Sequence, residues 1–234
     1  MSEPITPPTE EEILAYLYPK SYHCPVCEKD FSDFAVRKSK LRTQKIDSDF
    51  YTRYFVMDPN HYEVQFCSHC GYAALANYFD RITDRQQTMI KEKITPHHKP
   101  VEFPMPLSME HVIMRYEQAA KCAEAINAKP SQQAFIFLKT AWVYRSIDEK
   151  NKELGNLRIA YGGLKEAFSS ENFPLGNMDE TTAKYVIADI ARRLGLFGEA
   201  LRWVGDVIVA QGVSSAIKER ALLLKDAAKE GNSN

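Results

Sequence analysis

Two short stretches, Cys24-Pro25-Val26-Cys27 and Cys67-Ser68-His69-Cys70, are the most informative part of this chain. Each is a Cys-x-x-Cys pair, and a tight turn at such a pair directs both sulfur atoms toward one point. Two such turns, brought together by strands, complete a tetrahedron of four thiolates, the usual geometry of a structural zinc site. Because every ligand is a cysteine, no coordination position is left for substrate or water. The sequence therefore predicts one structural Zn²⁺ bound by Cys24, Cys27, Cys67 and Cys70.

Three other interpretations of these cysteines remain open: two unrelated pairs of buried cysteines, a redox pair of the thioredoxin kind, and an iron site of the rubredoxin kind. Nothing around either pair indicates the βαβ unit of a thioredoxin. Iron accepts four thiolates in the same geometry as zinc. Three histidines near the cysteines are expected outside the ligand set: His23, His61 and His69.

The composition is that of a soluble globular protein, with 44% hydrophobic and 26% charged residues among 234. A formal net charge of −1 gives no chain-wide basic signal for nucleic acid. Four of the five cysteines belong to the metal pattern, so a disulfide framework is not indicated and we expect a reducing, cytoplasmic compartment. We find no signal-peptide pattern and no apolar run long enough to span a bilayer, so no membrane association is expected.

The order of patterns along the chain predicts an α+β, mostly α protein, with a small β zinc-ribbon unit followed by a tetratricopeptide-like helical-hairpin array. Residues 34–46 are expected to form a strand with a basic face, and residues 73–94 a helix. The prolines of residues 95–107 exclude a regular helix in that stretch. The expected segments are an N-terminal arm (1–21), the zinc-ribbon unit with its following helix (22–94), a Pro-rich linker (95–107) and the helical domain (108–234).

A helix stripe of one spacing recurs three times in the second half of the chain. It begins at Tyr116, Leu157 and Phe197, a period of about 40 residues, and a small residue, Ala, stands three positions after each start. Repeated stripes of this kind indicate stacked helical hairpins, and the alternative is a generic amphipathic bundle. Gly195 and Gly155 stand where turns between paired helices are expected.

The third repeat resembles a tetratricopeptide unit, on the residues Ala188, Gly195, Phe197 and Ala200. The period exceeds that family's 34 residues, and its Trp-x-x-Leu-Gly opening is absent. The resemblance is therefore to degenerate repeats. It implies a superhelical scaffold with a concave face that binds peptides.

The whole chain resembles a family of uncharacterised bacterial proteins built from a zinc ribbon and tetratricopeptide-like helices. The residues that carry this resemblance are Cys24-Pro25-Val26-Cys27, Ser39-Lys40-Leu41-Arg42, Asp47-Ser48-Asp49-Phe50, Pro59, Tyr62, Cys67-Ser68-His69-Cys70-Gly71-Tyr72-Ala73 and Ala141-Trp142-Val143-Tyr144-Arg145. Glu28 departs from the Gly that is usual there. The resemblance implies a fold and no particular activity.

One candidate binding surface is a run of cations without an intervening acid, namely Arg37, Lys38, Lys40, Arg42 and Lys45. Aromatic residues follow it at Tyr51, Tyr54 and Phe55, and such a mixture binds phosphates and stacks on bases. The alternatives are a solvated strand face and a site for an acidic protein patch. Nucleic acid is thus a possible partner of the ribbon.

The other candidate surface is a peptide groove on the first helices of the hairpins. Its cationic and aromatic residues are Lys139, Tyr144, Arg145, Lys184, Arg192 and Arg193, a set that suits an acidic peptide. Asp47 and Asp49 are interpreted as turn residues, with a pair of general acid/base groups as the alternative, and no catalytic motif is found. We therefore expect a non-enzymatic, zinc-binding adaptor that binds a protein partner, with nucleic-acid binding as the alternative.

Overall fold

The computed structural model of this protein describes residues 8–232. Over that range it confirms the α+β, mostly α class, with six short strands followed by a largely helical chain. The described residues form two compact units. The first contains the chain up to Ile46 together with Thr52–Ala128, and the second contains Asp47–Tyr51 together with the chain from Lys129 onward.

The strands of the first unit form three antiparallel hairpins. Their pairs are β1 (Leu17–His23) with β2 (Asp30–Val36), β3 (Thr43–Ile46) with β4 (Thr52–Tyr54), and β5 (Val64–Phe66) with β6 (Ala73–Leu75). The loops of the first and third hairpins are the two Cys-x-x-Cys turns. This agrees with the expectation that strands lead into both cysteine turns, whereas the strand that follows the second turn was not predicted.

Three helices complete the first unit: α1 (Glu10–Leu14), α2 (Asp84–Lys93) and α3 (Met109–Ala125). The prediction of a helix over residues 73–94 is wrong for the first half of that stretch. Residues 73–75 form β6, because Ala73 pairs with Phe66 to close the second cysteine hairpin. Helix α2 begins only after Thr83, whose hydroxyl accepts a hydrogen bond from the backbone N–H of Gln86.

The stretch 95–107, expected as a linker, is followed by a helix that still belongs to the first unit. Leu107 is buried, and its N–H donates to the hydroxyl of Tyr62 at 3.1 Å. Helix α3 packs against β5 and β6, and Tyr116, which starts the first stripe, donates its hydroxyl proton to the carbonyl of Asn60 at 2.8 Å. The boundary between the units therefore lies after Ala128.

The second unit contains five helices, namely α4 (Pro130–Ser146), α5 (Lys150–Ser170), α6 (Glu180–Arg193), α7 (Phe197–Val209) and α8 (Ser215–Asn232). Helices α4 and α5 pack as one hairpin, α6 and α7 as a second, and α8 packs on both α7 and α6. The second and third stripes are buried in this core, including Leu157, Ala160 and Ala200. Gly195, with φ of +76°, lies in the turn between α6 and α7, whereas Gly155 lies inside α5.

Candidate functional site

The two Cys-x-x-Cys turns have the same backbone hydrogen bonds. In the first turn, the N–H of Glu28 donates to the carbonyl of Cys24 at 2.9 Å, and the N–H of Cys24 donates to Lys29 at 3.0 Å. In the second, the N–H of Gly71 donates to Cys67 at 2.9 Å, and the N–H of Cys67 donates to Tyr72 at 2.8 Å. Equivalent turns present their sulfurs in equivalent ways, so the two pairs can converge on one point.

The four sulfurs do converge. Cys24 Sγ lies 3.6 Å from Cys70 Sγ, Cys27 Sγ lies 3.6 Å from Cys67 Sγ, and all four atoms lie within 4.8 Å of one another. A zinc tetrahedron with Zn–S bonds of about 2.3 Å has an S–S edge of about 3.8 Å. The cluster can therefore hold a metal ion and is consistent with a zinc ribbon. Within residues 8–232 no histidine or carboxylate joins these four ligand atoms.

The surroundings of the sulfurs act unequally on the thiols: hydrogen bonding with Cys67 raises the pKa of Cys24 to about 12, and hydrogen bonding with Cys24 raises the pKa of Cys70. Hydrogen bonds from Cys24 and Cys70 lower the pKa of Cys67. The backbone N–H groups of His69 and Cys70 also act on Cys67, and those of Val26 and Cys27 act on Cys24. Four sulfurs this close cannot all be anionic without a cation among them, which is the role that a divalent metal fills.

The position after each cysteine pair has a left-handed backbone. Gly71 has φ of +75°, and Glu28, at the matching place, has φ of +60°. A Cβ atom on Gly71 would lie 2.6 Å from Cγ of His98, whose Nε2 is 2.8 Å from the carbonyl oxygen of Ser68. The second turn therefore needs glycine for both its conformation and its packing, whereas the first tolerates a strained side chain.

The nearby histidines lie outside the sulfur cluster. His23 Nδ1 is 2.8 Å from a carboxylate oxygen of Asp30, and His69 Nε2 is 3.1 Å from the carbonyl of the same residue. Burial lowers the pKa of His61 and favours its neutral form. The fifth cysteine, Cys122, is buried on α3, and burial raises the pKa of its thiol to about 12. These groups are consistent with packing roles around the site.

The groove predicted on the second unit binds a segment of the chain itself. Arg145, on α4, donates from Nη2 to Asp49 Oδ2 at 2.7 Å and from Nη1 to Asp47 Oδ2 at 3.2 Å. Its Nε donates to Glu153 Oε1 on α5 at 2.7 Å. The indole N–H of Trp142, also on α4, donates to Asp49 at 3.0 Å. Asp49 thus accepts from two side chains of one helix and is fully buried.

Ser48, between the two aspartates, contacts α6. Its hydroxyl donates to Asp189 at 3.0 Å and accepts a hydrogen bond from Arg193 at 2.8 Å and another from Arg192 at 3.3 Å. The hydroxyl of Tyr185 donates to the carbonyl of Ser48 at 2.9 Å. Both arginines also pair with Asp189, so this buried carboxylate holds them in place.

The aromatic residues that follow Asp49 also contact the helices. The ring of Phe50 lies 5.3 Å from that of Tyr185, and the guanidinium of Arg220, on α8, lies 5.3 Å from the Phe50 ring. Tyr51 stacks on Trp142 with ring centres 5.5 Å apart. We refer to Asp47–Tyr51 as the docked segment, and it contacts helices α4, α6 and α8.

The charges around Asp49 keep it ionised. Burial by itself raises the pKa of this carboxyl, but hydrogen bonds from Arg145 and the charge of Arg193 outweigh burial and lower it. Burial in turn lowers the pKa of Arg145, and Asp49 and Glu153 raise it by more. The result is a buried ion pair between Asp49 and Arg145, in which each charge stabilises the other.

Half of the predicted groove residues lie in this cluster. Arg145, Arg192 and Arg193 contact the docked segment, as described above. The ammonium of Lys139 lies 5.2 Å from the ring of Trp142, and Lys184 pairs with Glu180 on its own helix at 2.7 Å. Tyr144 is buried, with Lys152 at 5.5 Å from its ring. The sequence predicted these six residues as a groove for an acidic peptide, and in the structure Ser48, Asp49 and Asp189 of the same chain engage its three arginines.

Residues 34–46, predicted as one basic strand, do not form a single strand. The five cations of this stretch, Arg37, Lys38, Lys40, Arg42 and Lys45, are all exposed, but residues 38–40 form a 3₁₀ helix and only Lys45 lies in β3. Lys40 donates to the carbonyl of Ala15 at 3.1 Å, and Arg37 lies 5.1 Å from the ring of Tyr18. The irregular path separates the cations instead of aligning them on one strand face.

Two of these cations line a cavity of about 680 Å³ in the first unit. Lys40 and Arg42 contribute to its wall with three aromatic residues, Tyr16, Tyr54 and Phe55. The ring-bearing side chain of Phe55 is exposed. Cations and aromatic faces are thus brought together here, although not in the arrangement that the sequence predicted.

Comparison with known families gives a match over most of the chain. The family described as "Uncharacterized protein conserved in bacteria (DUF2225)" matches residues 17–231. The chain belongs to this family. No curated protein and no solved structure matches the chain. Membership confirms the resemblance drawn from the sequence and leaves the function to be argued from the sites.

Sequence reasoning missed the docked segment and its acidic partners on the helices. Asp189 and Glu153 are buried acids within amphipathic helices, and a carboxylate at a core position is the pattern that indicates a buried cation nearby.

Within the described residues, no helix combines the length and apolarity that crossing a membrane requires.

Proposed function

We propose that this protein is a non-enzymatic, zinc-stabilised adaptor of the bacterial cytoplasm whose helical unit binds an acidic segment of a partner protein. The observation that carries the proposal is the docked segment Asp47–Tyr51, held by Arg145, Arg192 and Arg193. A surface on α4, α6 and α8 that binds Asp-Ser-Asp-Phe-Tyr has the chemistry of a peptide site. On this proposal the two hairpins and α8 act as a degenerate tetratricopeptide-like array.

A structural role for the metal follows from the donor set. Four thiolates fill a tetrahedron, so the ion would hold the two cysteine hairpins together and leave no position for substrate. Such thiols bind metal only while they are reduced, which fits a cytoplasmic location. Purified protein should contain about one zinc per chain and be colourless. Iron with a red colour would favour the rubredoxin-like alternative.

The test of the adaptor function uses a labelled synthetic peptide with the sequence of residues 45–53. We expect saturable binding by full-length protein carrying Asp47→Asn and Asp49→Asn, in which the protein's own segment is weakened. Binding should be lost when Arg192→Glu and Arg193→Glu are added, and when the peptide carries Asn in place of both Asp. Absence of saturable binding to the folded Asn variant would overturn the proposal.

The cavity lined by Lys40, Arg42, Tyr16, Tyr54 and Phe55 favours a second candidate function, binding of single-stranded nucleic acid. Bases stack on exposed aromatic rings while nearby cations neutralise phosphates. Affinity for RNA or single-stranded DNA should then fall steeply with salt, and Lys38→Glu, Lys40→Glu and Arg42→Glu together should abolish it. A gel-shift assay at low salt that detects no complex would exclude this candidate.

A further inference from the structure

The docked segment occupies the same arginines that an external acidic peptide would need. Arg145 contacts both aspartates, and Arg192 and Arg193 contact Ser48. We infer that Asp47–Tyr51 is an intramolecular competitor, and that a partner with the same Asp-Ser-Asp-aromatic pattern binds only when it displaces this segment. This inference rests on the proposed function, and it adds the partner's pattern and its regulation.

The way the segment is held makes displacement possible. Residues 47–51 belong to the helical unit, whereas β3 and β4 on either side of them pair with each other in the first unit. Within the segment, the N–H of Asp47 donates to the carbonyl of Tyr51 at 2.8 Å, so its turn is closed by its own backbone. Side chains of the segment contact α4 and α6, and the carbonyl groups of Asp47 and Ser48 accept hydrogen bonds from Arg220 and Tyr185. An equivalent peptide can supply the same groups.

Position 49 sets the strictest requirement for a competitor. Its pocket contains the guanidinium of Arg145 and the indole N–H of Trp142 on α4, with Arg193 on α6 at 3.5 Å and no exposure to solvent. A neutral side chain there would remove a carboxylate partner from two cations, Arg145 and Arg193. Position 48 needs a small side chain with a hydroxyl, because it accepts from two arginines and donates to Asp189.

Tethering makes the internal segment a strong competitor. A short tether holds a ligand at an effective concentration on the order of millimolar, so a free peptide with equal contacts binds mainly to the fraction of molecules whose segment is released. Substitutions that weaken the internal segment should therefore strengthen the binding of an added peptide. A surface without an internal competitor would not respond in this way.

The experiment compares the affinity of full-length variants for the labelled peptide of residues 45–53. Asp49→Asn keeps the shape of the side chain and removes its charge, and Phe50→Ala removes the ring contacts with Tyr185 and Arg220 while it keeps both aspartates. The matched control is Asp206→Asn, at an exposed position on α7. We expect both segment variants to bind the peptide about tenfold or more tightly than wild type, and the control to equal wild type.

The outcomes separate this inference from the function on which it rests. Equal affinity of wild type and both folded variants, with binding lost in Arg192→Glu, would overturn the competition and leave the peptide site intact. No binding to any folded variant would overturn both. Tighter binding to Phe50→Ala alone would still support competition, because that variant leaves all charges in place.

Discussion

At the scale of single residues, Arg145 joins the docked segment to the helices. One guanidinium, almost fully buried, contacts carboxylates of Asp47, Asp49 and Glu153. A buried cation with several carboxylate partners is stable only as a complete set, because each remaining charge would be left in a medium of low dielectric constant. Removal of one member of the cluster should therefore destabilise the fold by leaving its partners buried and unpaired, even though the intact cluster contributes little net free energy of folding.

Replacement of Arg145 should be severely destabilising. Arg145→Met leaves Asp49 and Glu153 buried with weaker partners, and we expect the free energy of unfolding to fall by roughly 3–5 kcal/mol. The matched control is Arg202→Met, whose side chain is 63% exposed and pairs with Glu199, and there we expect a change within about 0.5 kcal/mol. Urea unfolding followed by tryptophan fluorescence reports on this unit, since Trp142 and Trp203 both lie in it. Equal losses in the two variants would contradict the cluster's role.

The lowered pKa of Asp49 predicts how the stability of the helical unit depends on pH. Its folded pKa lies below the unfolded value of about 3.9, so its contribution is fully present above that value and is lost as pH falls through the folded pKa. We expect Asp49→Asn to be less stable than wild type from pH 7 down to about 5, with the difference shrinking below about pH 4. A difference that stays constant down to pH 3 would show that the charge of Asp49 is not involved.

The sequence predicted the arginines and the loop aspartates of this cluster, but it predicted neither their pairing nor the part played by Glu153 and Asp189. Arg145, Arg192 and Arg193 were recognisable because they stand off the apolar stripes of their helices, and Asp47 and Asp49 because they mark a turn. Their pairing joins a loop to helices far along the chain, and neither partner carries a periodicity that specifies the other. Only the packed structure brings them together.

At the scale of elements, the two cysteine turns differ in how well their residues suit the same backbone. Gly71 adopts a left-handed conformation without steric cost, and Glu28 adopts it with a cost of about 1–2 kcal/mol. The sequence already marked the first turn as different, since Glu28 departs from the Gly that is usual there. It did not predict that His98 packs directly against Gly71.

Substitutions at these two positions should act in opposite directions. Gly71→Ala introduces left-handed strain and a contact with His98, so we expect weaker metal binding and a lower melting temperature. Glu28→Gly relieves strain at the matching position, and we expect a gain of up to about 1 kcal/mol. Competition with a zinc chelator and thermal melts would measure both effects. Similar affinities for Gly71→Ala and wild type would show that the second turn tolerates a Cβ atom.

Longer elements were predicted well where periodicity defined them and poorly where it did not. The stripes at Leu157 and Phe197 mark α5 and α7, because a buried helix face repeats over many residues. The run Ala73-Ala74-Leu75 has helix-forming composition, yet it forms β6 because the cysteine turn before it must be closed by a strand. Composition over three residues cannot outweigh pairing with Val64–Phe66.

At the scale of the whole molecule, the helical unit contains two separate stretches of the chain, Asp47–Tyr51 and the residues from Lys129 onward. Asp47–Tyr51 belongs to that unit although β3 and β4, which belong to the first, adjoin it on both sides. Ordering a short segment costs roughly 1–2 kcal/mol per residue in backbone entropy. Pairing of Ile46 with Thr52 fixes both ends of the segment and so reduces that cost before it docks.

Removal of the metal should therefore affect the helical unit as well as the first unit. Without the proposed ion, the two cysteine hairpins are no longer joined through one metal centre. Metal binding at such sites contributes on the order of 10 kcal/mol to folding. If β3 and β4 separate as a consequence, the segment must be ordered from a flexible chain. We expect chelation, or Cys24→Ser, to leave most of the helical circular dichroism in place and to lower the melting temperature reported by Trp142 and Trp203 by several degrees.

The variant Asp49→Asn provides the control for this coupling. Its segment already docks weakly, so chelation should lower the tryptophan-reported melting temperature by less than in wild type. Non-additivity of the two changes is the signature of a shared interaction, whereas independent sites give additive shifts. Equal shifts in both backgrounds would show that the metal centre stabilises the helices by another route or not at all. A smaller shift in Asp49→Asn would identify the β3–β4 hairpin and its acidic tip as the link through which the metal influences the helical unit.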